Sequence, residues 1–172
     1  MTNDSALDEH RANAPAALNI AVLTVSDTRT LETDSSGTLI VESLAANGHR
    51  VSERDLVPDE PECLRAAIDR FRRHADLHAI LITGGTGVSP RDRTFEAVSS
   101  LLTTPLPGFG ELFRMLSYAE IGSACILSRA FGGLIDKTVV LAMPGSRAAV
   151  RLAMEKIILP ELRHLVREAL KS

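Results

Sequence analysis

The residues best equipped for chemistry in this 172-residue chain sit directly behind its apolar runs. After Ala79-Ile80-Leu81-Ile82 comes Thr83-Gly84-Gly85-Thr86-Gly87. Glycine has no Cβ and tolerates positive φ, so backbone N–H groups in such a loop can close on a ligand. A helix beginning just downstream adds partial positive charge, and together these are the physics of a phosphate cradle. The stretch fits neither GxxxxGK[ST] nor GxGxxG, and its composition also suits a plain tight turn. Asp92, in the approach Val88-Ser89-Pro90-Arg91-Asp92-Arg93-Thr94 to the next helix, alters the balance. A carboxylate beside an anion cradle repels the anion unless a cation lies between them, and Mg²⁺ resolves that conflict. Taken alone, Asp92 also reads as a helix N-cap.

Two further groups stand in equivalent places. Pro58-Asp59-Glu60 follows the run at residues 50–57. Asp59 can share a metal with Asp92, or it can cap the helix that opens at Pro61. Met143-Pro144-Gly145-Ser146-Arg147 follows another run, with Ser146 the natural N-cap of the helix behind it. Glu111, Arg114 and Ser117, at i, i+3 and i+6, lie along one side of a helix and form either a solvated face or one that reaches a ligand. The five histidines, His10, His49, His74, His78 and His164, are scattered and receive no catalytic role. No Ser/His/Asp nucleophile grouping is visible.

These groups need elements to position them. Residues 19–25 (NIAVLTV), 79–83 (AILIT) and 138–143 (TVVLAM) are short apolar runs rich in β-branched residues, as buried strands are. Residues 50–57 are more polar and read as an outer strand. Helical spacing is found over 37–46, behind the N-cap candidates Asp34, Ser35 and Ser36, and over 61–73, 94–102 and 110–117. Residues 147–170 form a helical region that Pro160 is expected to bend or split. FGGLIDK at 131–137 has the composition of a β-hairpin leading into TVVLAM. Alternation of β and α predicts a three-layer α/β/α fold on a mostly parallel sheet with right-handed crossovers, in which ligands bind beyond the carboxyl ends of the strands. The expected division is a flexible arm over 1–17, able to cover a neighbouring subunit, and a single domain over 18–172.

Bulk composition excludes several classes. Net charge is −3, so the general basic footprint of a nucleic-acid binder is missing and any anionic ligand must be held locally. No apolar run reaches the roughly 20 residues of a membrane span. Aromatics are 3% and Trp is absent, which leaves the core to aliphatic side chains. Cys63 and Cys125 have no metal spacing and no secretory leader, and reduced, buried thiols in a cytoplasmic protein are expected.

The order of these pieces is distinctive. Thr24-Val25-Ser26-Asp27, Asp34-Ser35-Ser36-Gly37, LVPDE at 56–60, LITGGTG at 81–87, RDRT at 91–94, GFGELFRMLS at 108–117 and AMPGS at 142–146 together resemble the molybdenum cofactor biosynthesis protein B and molybdopterin adenylyltransferase family, over residues 19–170. The resemblance implies a molybdopterin-binding domain that assembles as a trimer or hexamer. For adenylyltransferase members it implies Mg²⁺-dependent attack of the molybdopterin terminal phosphate on the α-phosphorus of ATP, with release of pyrophosphate. Asp59 and Asp92 match the family's essential carboxylates and would orient metal and nucleotide. Gly84, Gly85, Thr86 and Gly87 would hold nucleotide phosphates, while Ser26, Asp27, Ser36, Gly37, Gly145 and Ser146 would line the remaining pocket, with Arg91 or Arg93 neutralising charge. Met-Pro-Gly-Ser-Arg at 143–147 departs from the Leu-Pro-Gly-x-Pro turn common among adenylyltransferases and is similar to the protein B branch, while Asp59 is retained. A non-catalytic molybdopterin-binding or scaffold protein is the alternative, and a generic nucleotide-binding or phosphatase-like α/β protein is a third.

Overall fold

Alternate residues of the apolar runs face opposite ways, and both directions are filled. In the computed structural model, which describes residues 16–171, Ile20, Val22, Leu81, Val139, Leu141 and Met143 point into one core, while Ala21, Leu23, Val25, Ile80, Ile82, Val140 and Ala142 point into another. A period of two with apolar residues at every position requires cover on both faces, which is the three-layer arrangement expected. The arm read over 1–17 lies, apart from its last two residues, outside the described residues.

The strands are β1 (Asn19–Val25), β2 (Arg50–Val57), β3 (Ala79–Thr83), β4 (Thr104–Pro105), β5 (Phe131–Ile135) and β6 (Thr138–Met143), in the sheet order β2-β1-β3-β6-β5-β4. β2, β1, β3 and β6 run parallel, with β1 pairing both β2 and β3, and β3 pairing β6. β5 returns antiparallel to β6 through Asp136 and Lys137, and Asp136 takes φ 55. This is the hairpin expected from FGGLIDK. The polar β2 lies at one edge, where only one side of its backbone is paired.

The helices are α1 (Ser35–Ala46), α2 (Pro61–Phe71), α3 (Thr94–Ser99), α4 (Pro107–Ile121), α5 (Arg147–Ala153) and α6 (Leu159–Leu170). α1, α4, α5 and α6 cover the first core with Ile40, Leu44, Phe109, Phe113, Val150, Leu162 and Val166. α2 and α3 cover the second with Leu64, Ile68, Phe71 and Val98. Each fully buried aliphatic or aromatic side chain contributes about 1.5–3 kcal/mol, so the two cores dominate the stability.

Several boundaries differ from the sequence expectation, among them the start of α1 at Ser35 and the end of α2 at Phe71. α3 stops at Ser99 instead of Leu102 because the chain is captured by the sheet, Thr103 N–H donating to Leu134 C=O at 2.8 Å. α4 extends further in both directions than 110–117, opened by Pro107 at its first turn. As expected, the last helical region is divided near Pro160: a π-helical turn, Met154–Ile158, separates α5 from α6, and Pro160, which lacks the N–H that would return to Lys156 C=O, stands in the first turn of α6.

Candidate functional site

The carboxyl ends of β1, β3 and β6 meet in one cleft of about 410 Å³. Its walls include Ser26 and Arg29 after β1, Gly84, Gly85, Thr86, Gly87 and Asp92 after β3, and Pro144, Gly145 and Ser146 after β6. This is where the sheet order reverses: the chain passes from β1 outward to β2 and then crosses back over β1 to β3. The two loops diverge there and leave a crevice.

The glycine loop is determined by steric demand. Gly84 and Gly85 have φ of 106° and 62°. A Cβ on Gly84 would strike Val25 C=O, and one on Gly85 would strike both Thr94 Oγ1 and the Asp59 carboxylate. Gly84 N–H is tied to Met143 C=O at 3.0 Å, and Thr83 Oγ1 donates to Pro144 C=O at 3.1 Å, which fixes the β3 loop against the β6 loop.

Asp59 lies behind this loop and is only 5% exposed. Its Oδ1 accepts from Arg93 N–H at 3.1 Å, and its own N–H donates to Asp27 Oδ1 at 3.1 Å. Burial, followed by the negative charge of Asp92 and Asp27, pushes the Asp59 carboxyl above the usual range. Asp92 borders the cleft directly, its Oδ2 accepting from Ser89 N–H at 2.9 Å. The two carboxylates read from the sequence therefore lie close together, Asp92 lining the cleft and Asp59 beneath it, where the Asp92 charge opposes ionisation of Asp59.

The β1 loop supplies both a clamp and a cation. Asp27 makes a two-point ion pair with Arg91, at 2.6 and 2.8 Å, and Arg91 also reaches Glu60 at 2.6 Å. Arg91 brings the Asp27 carboxyl down to about 2. Arg91 is thus engaged by two carboxylates and does not line the cleft, contrary to the charge-neutralising role expected for it. Arg29 lies there instead. Its Nη1 contacts Ser36 Oγ at 3.2 Å, and its nearest carboxylate, Asp34, is 3.9 Å away. Asp34 is fully buried and already accepts from Thr24 Oγ1 at 2.6 Å, Gly37 N–H at 2.9 Å and Arg54 Nη2 at 3.0 Å. Burial alone would raise the Asp34 carboxyl, but those hydrogen bonds bring it below the ordinary range. Arg29 accordingly keeps most of its charge for whatever enters the cleft.

Ser36 and Gly37 stand one layer behind the cleft wall. Ser36 Oγ donates to Gly145 C=O at 2.8 Å, joining the start of α1 to the β6 loop, while Gly37 is held under the Asp34 cap. Ser146 caps α5 through Ala149 N–H at 3.2 Å and also borders the cleft. Asp34 is the cap of α1, selected from the three candidates by its contacts with Thr24 and Arg54, which tie it to β1 and β2.

Arg129 has no counterpart in the sequence reading. Its Nε donates to Gly87 C=O at 2.6 Å and its Nη2 to Asp92 C=O at 2.7 Å, and it also pairs with Glu96. One guanidinium thereby holds both ends of the loop that presents Asp92. The only local signal was a lone arginine before FGG. Of the α4 stripe, Arg114 bonds Ala130 C=O at 3.2 Å, Ser117 is buried beside a second cavity, and Glu111 is exposed. Cys63 and Cys125 are free and half-buried, less enclosed than expected. No helix among the described residues is long and apolar enough to cross a membrane.

With this geometry in place, similarity to known proteins becomes informative. The family model described as a probable molybdopterin binding domain matches residues 21–164. Molybdenum cofactor biosynthesis protein B of Halalkalibacterium halodurans is 49% identical over 167 residues, covering 96% of this chain and 98% of that protein. The Bacillus subtilis protein of the same name is 48% identical over the same shares. A crystal structure of a molybdenum cofactor biosynthesis protein B superposes with a TM-score of 0.88 at 50% identity, over 91% of this chain and 98% of that one. The tungsten cofactor synthesizing protein MoaB from Pyrococcus furiosus gives 0.83 at 34% identity, over 92% and 100%. A match that runs through the glycine loop, both carboxylates and the β6 turn places this chain in the molybdopterin-binding domain family, among the molybdenum cofactor biosynthesis proteins B.

Proposed function

We propose that this protein acts in molybdenum cofactor biosynthesis by binding molybdopterin and adenylylating it with Mg-ATP. In that reaction an oxygen of the terminal phosphate of molybdopterin forms a bond to the α-phosphorus of ATP. The α–β phosphoanhydride bond breaks and pyrophosphate leaves. The observation that carries the reading is the cleft itself, in which a loop with two consecutive positive-φ glycines, a carboxylate, Asp92, and a cation, Arg29, converge at the sheet's switch point.

Both reactants are anionic, so the residues need to align them and to oppose accumulating negative charge. With Gly84 N–H committed to Met143 C=O, the N–H groups of Gly85, Thr86 and Gly87 and the Arg29 guanidinium suit phosphate oxygens. Arg129, through its grip on Gly87 and Asp92, keeps that loop in one geometry. Among the described residues no group of three or more His, Cys, Asp or Glu side chains is arranged as a metal cage. Mg²⁺ does not require one, since it commonly takes one or two carboxylates and completes its shell with phosphate oxygens and water. Asp59 and Asp92 fit that use: the charge on Asp59 is opposed by burial, Asp92 and Asp27, and a divalent cation would relieve the conflict. Bound there, Mg²⁺ would supply charge neutralisation on the nucleotide phosphates.

The test is release of pyrophosphate from ATP in the presence of molybdopterin and Mg²⁺. Asp92→Ala and Asp59→Ala are expected to lower turnover by about 10³-fold or more with circular dichroism unchanged. Tight molybdopterin binding with no pyrophosphate release by the parent protein would instead identify a binding or scaffold role.

A further inference from the structure

At the edge of the sheet opposite the cleft, where the strands begin, a cavity of about 310 Å³ lies between the turn that leads into β2 and the first turns of α6. Asn47, His49, Leu159, Pro160, Arg163 and His164 line it. That size is near the lower end of pockets that enclose a small molecule, roughly 300–1,000 Å³. Two of its polar side chains, His49 and Arg163, hold hydrogen-bonding capacity that the fold does not use.

His49 is 7% exposed, and its Nδ1 accepts from Leu18 N–H at 3.3 Å. A ring nitrogen that accepts carries no proton, so the neutral imidazole is protonated on Nε2, which is a donor. Burial and the Arg163 charge hold the ring in that neutral form. Nε2 has no hydrogen-bond partner among the described residues, and it is not one of the sealed unpaired atoms, which belong to Arg54, Thr86 and Thr94. It therefore opens on the cavity that the ring borders. Donors on side chains this buried are almost always satisfied, and a ligand in the cavity would complete this one. Arg163 supplies charge. Among the described residues its contact is a long one, Nη2 to Asn47 C=O at 3.4 Å, and no carboxylate pairs with it. The neighbouring His164 is engaged by Glu161 at 3.2 Å and Glu168 at 3.7 Å. A guanidinium and a neutral N–H donor thus leave one positive charge over a cavity whose apolar side is Leu159 and Pro160. A carboxylate matches that set: one negative charge, two oxygens for the planar guanidinium fork, a lone pair left for Nε2–H, and a hydrocarbon body for the apolar side. A doubly charged phosphate would bring a second negative charge beside the carboxylates that hold His164.

We propose that this cavity binds an aliphatic carboxylate, held by the Arg163 guanidinium and the His49 Nε2–H. That chemistry has two sources, a free small carboxylic acid and the side chain of Asp8 or Glu9 in the segment that precedes Leu18. The second is within reach, since Glu9 stands nine residues before Leu18, whose own N–H is the group on His49, and an extended chain advances about 3.3–3.6 Å per residue. The inference is independent of the reaction proposed above, because this site lies where the strands begin and the cleft lies where they end.

The test follows the ¹⁵N signal of the His49 ring in the full chain, at constant pH and ionic strength, as sodium butyrate, inorganic phosphate or sodium chloride is added. Butyrate should shift the Nε2 signal saturably and bind more tightly than phosphate. Arg163 is exposed on α6, so Arg163→Gln leaves the core intact, and it should weaken butyrate by about tenfold or more. The double variant Asp8→Asn/Glu9→Gln separates the sources. If it moves the His49 signal before any probe is added and binds butyrate more tightly than the parent, the carboxylate is the chain's own. If it leaves the signal in place and the parent binds butyrate, the ligand is a free acid. Butyrate that shifts the signal in neither the parent nor the double variant overturns the proposal. So does butyrate affinity that Arg163→Gln leaves unchanged, or a response that chloride or phosphate reproduces at the same concentration.

Discussion

Gly48 and Gly85 provide a matched pair from which the steric demand of the site can be measured. Both have positive φ, 75° and 62°. Alanine at either position must adopt the left-handed region, at a cost of about 1–2 kcal/mol. It also removes the same flexibility from the unfolded chain, so that contribution cancels between the two variants. Their surroundings differ. A Cβ at Gly48 meets nothing within 4 Å, while one at Gly85 overlaps Thr94 Oγ1 and the Asp59 carboxylate. Both of those side chains are buried, and relieving such overpacking costs about 1–3 kcal/mol. Gly85→Ala should therefore be destabilised by about 1–3 kcal/mol more than Gly48→Ala. In a domain of this size each kcal/mol shifts the melting temperature by roughly 2–4 °C, which puts Gly85→Ala about 2–12 °C below Gly48→Ala. Urea denaturation and thermal melting of both variants measure the difference. ATP binding should fall in Gly85→Ala, because Asp59 and the cradle are displaced together, and persist in Gly48→Ala. Equal destabilisation of the two variants would refute the argument that Gly85 exists to seat Asp59 against the loop.

Two further predictions concern other faces of the molecule. His49 is 7% exposed and accepts Leu18 N–H on Nδ1, and burial together with the Arg163 charge lowers its imidazole below the ordinary value of 6.5. The unfolded chain then binds a proton more readily than the folded one, so this stability is complete above about pH 6.5 and lost as pH falls through the lower folded value. Replacing the ring by Asn, which keeps an acceptor, should make the fall in urea midpoint between about pH 7 and pH 5 shallower; an identical fall in His49→Asn removes His49 as its cause. Met115, Tyr118, Ile121, Ile126 and Leu127 are each more than half exposed and lie together along α4 and the following 3₁₀ turn. We propose this face as the contact of a homotrimer or homohexamer. Light scattering should give a multiple of the chain mass that Ile126→Glu reduces, and a single-chain mass at micromolar concentration would rule it out.

Legibility of the site followed the distance over which its causes act. The glycine loop could be read because a strand, the glycines and the next helix are adjacent in sequence, and the β6 turn could be read for the same reason. The hairpin at Asp136 and the outer position of β2 were likewise visible in composition. Arg29 and Arg129 were not. Arg29 matters because Asp34 is already occupied by Thr24, Gly37 and Arg54, which is a fact about four segments at once. Arg129 matters because it grips Asp92, 37 residues away. Arg91 was misjudged for the converse reason: its charge looks available in RDRT, and it is consumed by Asp27, 64 residues earlier, and by Glu60.

By itself the sequence determined the α/β alternation, the two-sided burial of the central strands and the chemical character of the loops, because backbone propensity, side-chain period and glycine sterics act over a few neighbouring residues. Tertiary structure decided which loops meet, which charges are spent on one another and which remain for a ligand. It seated Asp59 beneath Gly85, left Arg29 in the cleft, and left the Thr86 hydroxyl without a hydrogen-bond partner among the described residues. Those outcomes depend on the strand order β2-β1-β3-β6, which brings four distant loops to one sheet edge, and on ion pairing that is settled only when all the partners are in place.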